Sequence, residues 1–197
     1  SSVLMPSLPP WGGIDPTVGN NPLVIAVPRP AGHVVLDIAM SQFSYGALES
    51  YRRSGSQLPV NGGFDSDGNL TRDPAAIEAS LRALPIGYWK GSGLSLMLDM
   101  TAAVLSGGLG TYQISNNPGM ETGLSQVFCA FQVSAFGGTE QIERTTDEII
   151  GFLQSSRPDT AETTVRYPGE QTLRVRAENL ALGLPVEPEI WNLLAGM

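Results

Sequence analysis

From Leu94 to Leu105, twelve consecutive residues carry a single charge, Asp99, and their apolar side chains fall on more than one helical face. A segment of this kind predicts a helix buried around most of its circumference, with the rest of the fold arranged about it. It is entered through Gly87-Tyr88-Trp89-Lys90-Gly91-Ser92-Gly93, whose lysine is the only one in the chain, against ten arginines. A helix N-terminus reached through small residues presents free backbone N–H groups. With a nearby ammonium and an aromatic plate, these suit an anionic, ring-bearing ligand. The same residues also suit a plain glycine-rich lead-in to a core helix with a snorkelling lysine, and on these residues alone both readings stand.

A chain of 197 residues, 42% hydrophobic and of near-zero mean hydropathy, is long enough for one substantial core or one domain with an appendage. Its net charge of −8 argues against a general nucleic-acid surface and against an anionic membrane. Any anionic ligand must therefore be held by local charge. The one cysteine, Cys129, lies in the apolar run Val127–Phe131 and reads as a buried strand thiol, so disulfide frameworks and Cys/His metal sites are excluded. The sequence has neither a leader pattern nor an apolar run of about 18 residues, which makes the cytoplasm the expected location.

In chain order, the runs Pro22–Pro28 and Val34–Ala39 flank Arg29-Pro30-Ala31-Gly32 and predict an antiparallel pair. Ser41 is expected to cap a helix over Gln42–Arg53, ended by Gly55, and Asp73-Pro74 opens a helix through Leu84. Between them, Gln57–Thr71 is a turn-rich excursion whose Leu58, Val60 and Phe64 are expected to pack on a second subunit. After a loop through Asn116–Gly119, Ser125–Phe136 reads as a strand, Thr139–Ser155 as an amphipathic helix and Thr163–Tyr167 as a short strand. Pro168-Gly169-Glu170 is a turn, and helices follow near Gln171–Leu182 and Glu187–Ala195.

Several familiar patterns fail on spacing. Asp65-Ser66-Asp67-Gly68-Asn69 has glycine at loop position 4 and Ala76 where a calcium loop needs its bidentate glutamate, so it is read as a turn. Gly91-Ser92-Gly93 is followed three residues later by Leu96, and no dinucleotide fingerprint occurs elsewhere. His33, the lone histidine, has no triad partners, and Asp37 and Asp99 suit either hydrogen-bonded core positions or functional ones.

Pro9-Pro10-Trp11-Gly12, Gly19–Leu23, Met40–Gly46, Gln57–Phe64, Gly68–Thr71, Leu84–Gly93 and Leu98-Asp99-Met100 together resemble the malate/L-lactate dehydrogenase family that lacks a Rossmann fold. The Gly87–Gly93 signature is most similar to a branch that reduces a 2,3-diketo sugar acid. The resemblance implies a mixed α/β fold: the family's own non-Rossmann sheet with flanking helices, incomplete here at the N-terminus. It implies NADH-dependent reduction of a 2-oxo acid at C2 in a homodimer. It also implies a cofactor-binding domain over 1–160, with 161–197 belonging to the family's other domain.

Carried over by position, the family's cofactor contacts fall on His33, Val34, Val35, Leu36, Asp37, Ile38 and Ala39, on Trp89 and Lys90, and on Gly169, Glu170 and Gln171. Close members carry Gly-His-Glu at that turn, so contacts made there by backbone survive the change and contacts made by the histidine do not. The family's proton-donor histidine has no counterpart here, and His33, in the cofactor strand, does not match it. No catalytic residue and no metal ligand is therefore assigned. The chain alone is expected to be inactive, as the cofactor-binding portion of a reductase or as a non-catalytic remnant that binds a dinucleotide or only dimerises.

Overall fold

The computed structural model describes residues 6–114, 122–158, 160 and 164–196. They form a mixed α/β chain whose strands pair two by two. β1 (Pro6–Leu8) pairs with β2 (Val18–Gly19), β3 (Leu23–Val27) with β4 (Val34–Ile38), and β5 (Gly63–Phe64) with β6 (Leu70–Thr71). The helices are α1 (Tyr45–Arg53), α2 (Pro74–Ser80), α3 (Trp89–Ser106), α4 (Thr111–Ile114), α5 (Thr139–Gln154), α6 (Glu170–Leu182) and α7 (Pro188–Ala195).

The chain divides into two compact units, Ser1–Val24 with Asp37–Ala130, and Ile25–Leu36 with Phe131–Met197. The chain passes from one to the other within β3 and again within β4. The division falls at 130/131 and not at 160, and α5 shares the second unit with α6, its Gln154 amide donating to Glu170 Oε1 at 3.1 Å.

In the first unit, Leu8, Val18, Leu48, Leu58, Ile77 and Ala83 form the core, with Phe43, Tyr45 and Tyr51 packed on it. The cap of α1 is Ser44, whose Oγ accepts the Ala47 N–H, and Ser41 is not the cap. Ser41 is instead fixed before the helix, its N–H donating to Asn20 Oδ1 and its hydroxyl to the Phe43 carbonyl. Asp73 caps α2 as expected, but the helix stops at Leu81, which takes φ 57°. Ala83 and Pro85 then bridge to Gly63 and Ser41, so the residues expected as a last helical turn pair as extended chain. In the 57–71 excursion, Leu58 is buried in this chain's own core and Phe64 lies under the Arg82 guanidinium, which leaves Val60 exposed.

The central helix begins five residues earlier than its apolar run, and it is not buried. Gly91, Ser95 and Ala102 are its buried positions, while Val104 is 79% and Leu105 67% exposed. It docks through its small residues, and among the described residues nothing covers its larger ones. The strand expected over Ser125–Phe136 is also absent. Leu124 makes a single bridge to Leu109, Val133–Ala135 is a 3-10 turn, and Phe128, Phe131 and Cys129 are exposed. Gln126 is a further isolated bridge residue, and among the described residues this aromatic run has no strand to ladder against; propensity without continuous pairing does not make a sheet. Residues 164–167 lie in no ladder, and the loop at 116–119 and Thr163 lie outside the described residues.

Candidate functional site

The second unit brings the 168–171 turn onto the strand expected to carry cofactor contacts. The Val35 N–H donates to the Pro168 carbonyl at 3.0 Å. Gly169 has φ 91°, and a Cβ there would lie 3.0 Å from Val35 N and 3.4 Å from the His33 carbonyl, so both its conformation and its space require glycine. The next residue, Glu170, opens α6 and folds its carboxylate back, one oxygen accepting the Tyr167 N–H and the other the Gln154 side-chain amide. His33, Val34, Val35 and Leu36 therefore share one unit with Gly169, Glu170 and Gln171. His33 is exposed, and its Nδ1 accepts the Arg29 N–H at 3.2 Å, closing the hairpin turn.

Asp37, Ile38, Ala39, Trp89 and Lys90 belong to the first unit. There the residue after Ala39 ties β4 to the approach of α3, the Met40 carbonyl accepting the Ile86 N–H at 2.9 Å. The Lys90, Gly91 and Ser92 N–H groups donate to the Gly87, Ile86 and Tyr88 carbonyls, so these three amides are not the free N–H groups expected of the glycine-rich lead-in. Gly91 instead permits close contact, since a Cβ there would sit 2.3 Å from the Ile86 carbonyl oxygen. What does face outward is side chain. Trp89 is 64% exposed, the Lys90 ammonium stands 5.9 Å from its ring, and no carboxylate pairs with that lysine among the described residues.

The sequence motifs include Tyr88 and Trp11 but not the contact between them. Tyr88 holds φ 59°, an uncommon conformation for a bulky residue, and its ring meets the edge of Trp11 at 5.2 Å. The Trp11 N–H donates to Ser92 Oγ at 3.0 Å. Nothing in the spacing of Trp11 and Tyr88, 77 residues apart, signals this contact. The two candidate aspartates separate: Asp37 is exposed, and Asp99 accepts the Thr111 N–H at the start of α4, a structural role. The Asp65 turn is held by the Asp67 and Asn69 N–H groups on Asp65 Oδ1, and no metal-binding cluster occurs among the described residues.

The sequence pattern of the malate/L-lactate dehydrogenase family matches residues 2–195. The chain belongs to that family. It is 40% identical over 184 residues to the 2,3-diketo-L-gulonate reductase of Citrobacter koseri, which covers 93% of this chain and 55% of that protein. It is 38% identical over 190 residues to the protein of the same name from Pasteurella multocida, covering 96% and 57%. Among solved structures it is similar to the sulfolactate dehydrogenase of Methanocaldococcus jannaschii, with TM-score 0.80 and 27% identity over 97% of this chain and 55% of that one. The chain thus spans about half the length of the curated relatives it matches.

Within this malate/L-lactate dehydrogenase architecture, the buried Asn21 explains part of the Gly19–Leu23 motif. Its Nδ2 donates to the Ser95 carbonyl and hydroxyl, and Ser95 Oγ donates to the Gly19 carbonyl at 2.6 Å, fixing β2 on α3. Among the described residues, no helix is long and apolar enough to cross a membrane.

Proposed function

We propose that this chain carries the cofactor-binding portion of an NADH-dependent reductase of 2-oxo acids, with 2,3-diketo-L-gulonate reduced to 3-dehydro-L-gulonate, working as a cytoplasmic homodimer. The names of the curated relatives support the substrate. The observation that carries the cofactor reading is the exposed Lys90, unpaired among the described residues, beside exposed Trp89 in a chain of net charge −8. A dinucleotide brings a doubly charged pyrophosphate and two flat rings, and an ammonium with an adjoining indole fits both. The Gly169 turn, seated on the backbone of β4, would hold the cofactor through backbone groups, which the change from histidine at 170 leaves intact.

When bound, the nicotinamide supplies a hydride to the carbonyl carbon of the substrate. In the first unit Lys90 would hold the anionic bridge of the cofactor and Trp89 would stack on one of its rings. No residue of this chain is assigned the proton for the developing alkoxide: the one histidine, His33, closes the hairpin turn with its Nδ1 accepting the Arg29 N–H and does not match the family's proton donor. That same fact favours the second reading, a non-catalytic module that binds a dinucleotide or only dimerises.

Titration of NADH by fluorescence tests the assignment. Lys90→Ala is expected to weaken binding by roughly 1–3 kcal/mol, the range for a charge-assisted hydrogen bond, and Trp89→Ala through lost stacking, with neither change lowering the melting temperature. Unchanged dissociation constants with a lowered melting temperature would remove both residues from the site.

A further inference from the structure

A cavity of about 300 Å³ opens within the second unit, between the hairpin turn and the start of α5. Pro28, Pro30, Val133 and Ile142 give it apolar walls, and Arg29 and Glu143 line it with opposite charges. The Arg29 side chain is only 14% exposed. Its Nε donates to Asp147 at 2.7 Å and its guanidinium lies 5.6 Å from the Tyr167 ring centre, yet Nη1 is buried with no hydrogen-bond partner. Glu143 pairs with no cation among the described residues, so its oxygens are free to accept. His33 also lines the cavity, which places it at the head of β4, the strand already assigned to the cofactor.

The volume falls at the lower end of small-molecule sites, enough for one end of a dinucleotide and too little for the whole. Apolar walls suit the faces of a purine, and a free carboxylate suits a ribose diol. Resting on the cofactor role above, we propose that this cavity receives the adenosine end of the dinucleotide and that Glu143 holds its ribose hydroxyls, selecting against a 2′-phosphate. A carboxylate at that position accepts from hydroxyl donors and repels a phosphate dianion, and a chain of net charge −8 acts in the same direction.

Calorimetric titration of the chain with NADH, NADPH and AMP tests the assignment, with thermal unfolding followed for each variant. Ile142→Trp, which fills the cavity, is expected to weaken AMP and NADH at least tenfold. Glu143→Gln, nearly isosteric, is expected to narrow the preference for NADH over NADPH at least fivefold. Should Ile142→Trp fail to fold, Ser134→Trp on the cavity lining takes its place. NADH bound by the unaltered chain, with its affinity and its preference kept in these variants, overturns the cavity assignment and leaves the cofactor role standing. Failure of the unaltered chain to bind NADH overturns both.

Discussion

Gly91 shows how one position can be conspicuous in a sequence and still be misread. Its place in a glycine-rich lead-in points to an N–H donor for an anion, whereas its amide donates to the Ile86 carbonyl and its missing Cβ makes room for that same carbonyl. The contact depends on the left-handed Gly87 and Tyr88, which no residue pattern announces. Gly91→Ala is therefore expected to destabilise the fold by at least about 1–3 kcal/mol through overpacking, read as a lowered denaturant midpoint. An unchanged midpoint would show that the helix head can shift without cost. Asp65 behaves differently. The Asn69 backbone N–H, aided by the Asn69 side chain and the Asp67 N–H, holds its carboxyl below the ordinary 3.8. A depressed folded value means that its stabilisation is fully present above pH 3.8 and is lost as pH falls through the folded value. Asp65→Asn should be less stable than the parent near neutrality and converge with it in strong acid; a difference that widens on acidification would contradict the hydrogen-bonded carboxylate. Lys90 stands out in the sequence as the sole lysine and is exposed in the structure, whereas nothing local marks Arg29, whose partner lies 118 residues away.

Elements whose ends are fixed by local chemistry were legible. Asp73-Pro74 opens α2, and α5, α6 and α7 appear where periodicity and turns place them. Elements whose ends depend on distant partners were not. Ser41 has the composition of a cap but is engaged by Asn20, and Ser125–Phe136 has the composition of a strand but, among the described residues, no partner strand. Asp99 belongs with these: its charge looks misplaced in an apolar run until α4 arrives and donates the Thr111 N–H to it. Asp99→Ala should cost about 0.5–2 kcal/mol, the range for losing a helix cap, and should raise amide exchange across Thr111–Ile114 ahead of the rest of the chain. Uniform exchange over the whole unit would mean that α4 does not depend on this carboxylate.

At the scale of the whole molecule, apolar side chains on α3 and on α6 and α7 remain in water, among them Val104 at 79%, Leu180 at 78% and Leu193 at 69%. Surfaces of this kind associate. Sedimentation velocity of the isolated chain is expected to show a species heavier than the 20.9 kDa monomer at micromolar concentration, and a sharp monomer boundary would contradict it. The spacing of residues reported apolar faces faithfully; it could not report that the described chain leaves them uncovered. The course of the chain through β3 and β4 carries one more consequence. Because the second unit is assembled from the tip of a hairpin and a tail that begins nearly a hundred residues later, it is not a portable module. A gene cut before residue 131 would deprive Arg29 of Asp147, Val35 of Pro168 and the Gly32 turn of Leu173 while leaving all three in the product. A recombination event that shuffles contiguous segments would likewise break a folding unit in the middle of a strand.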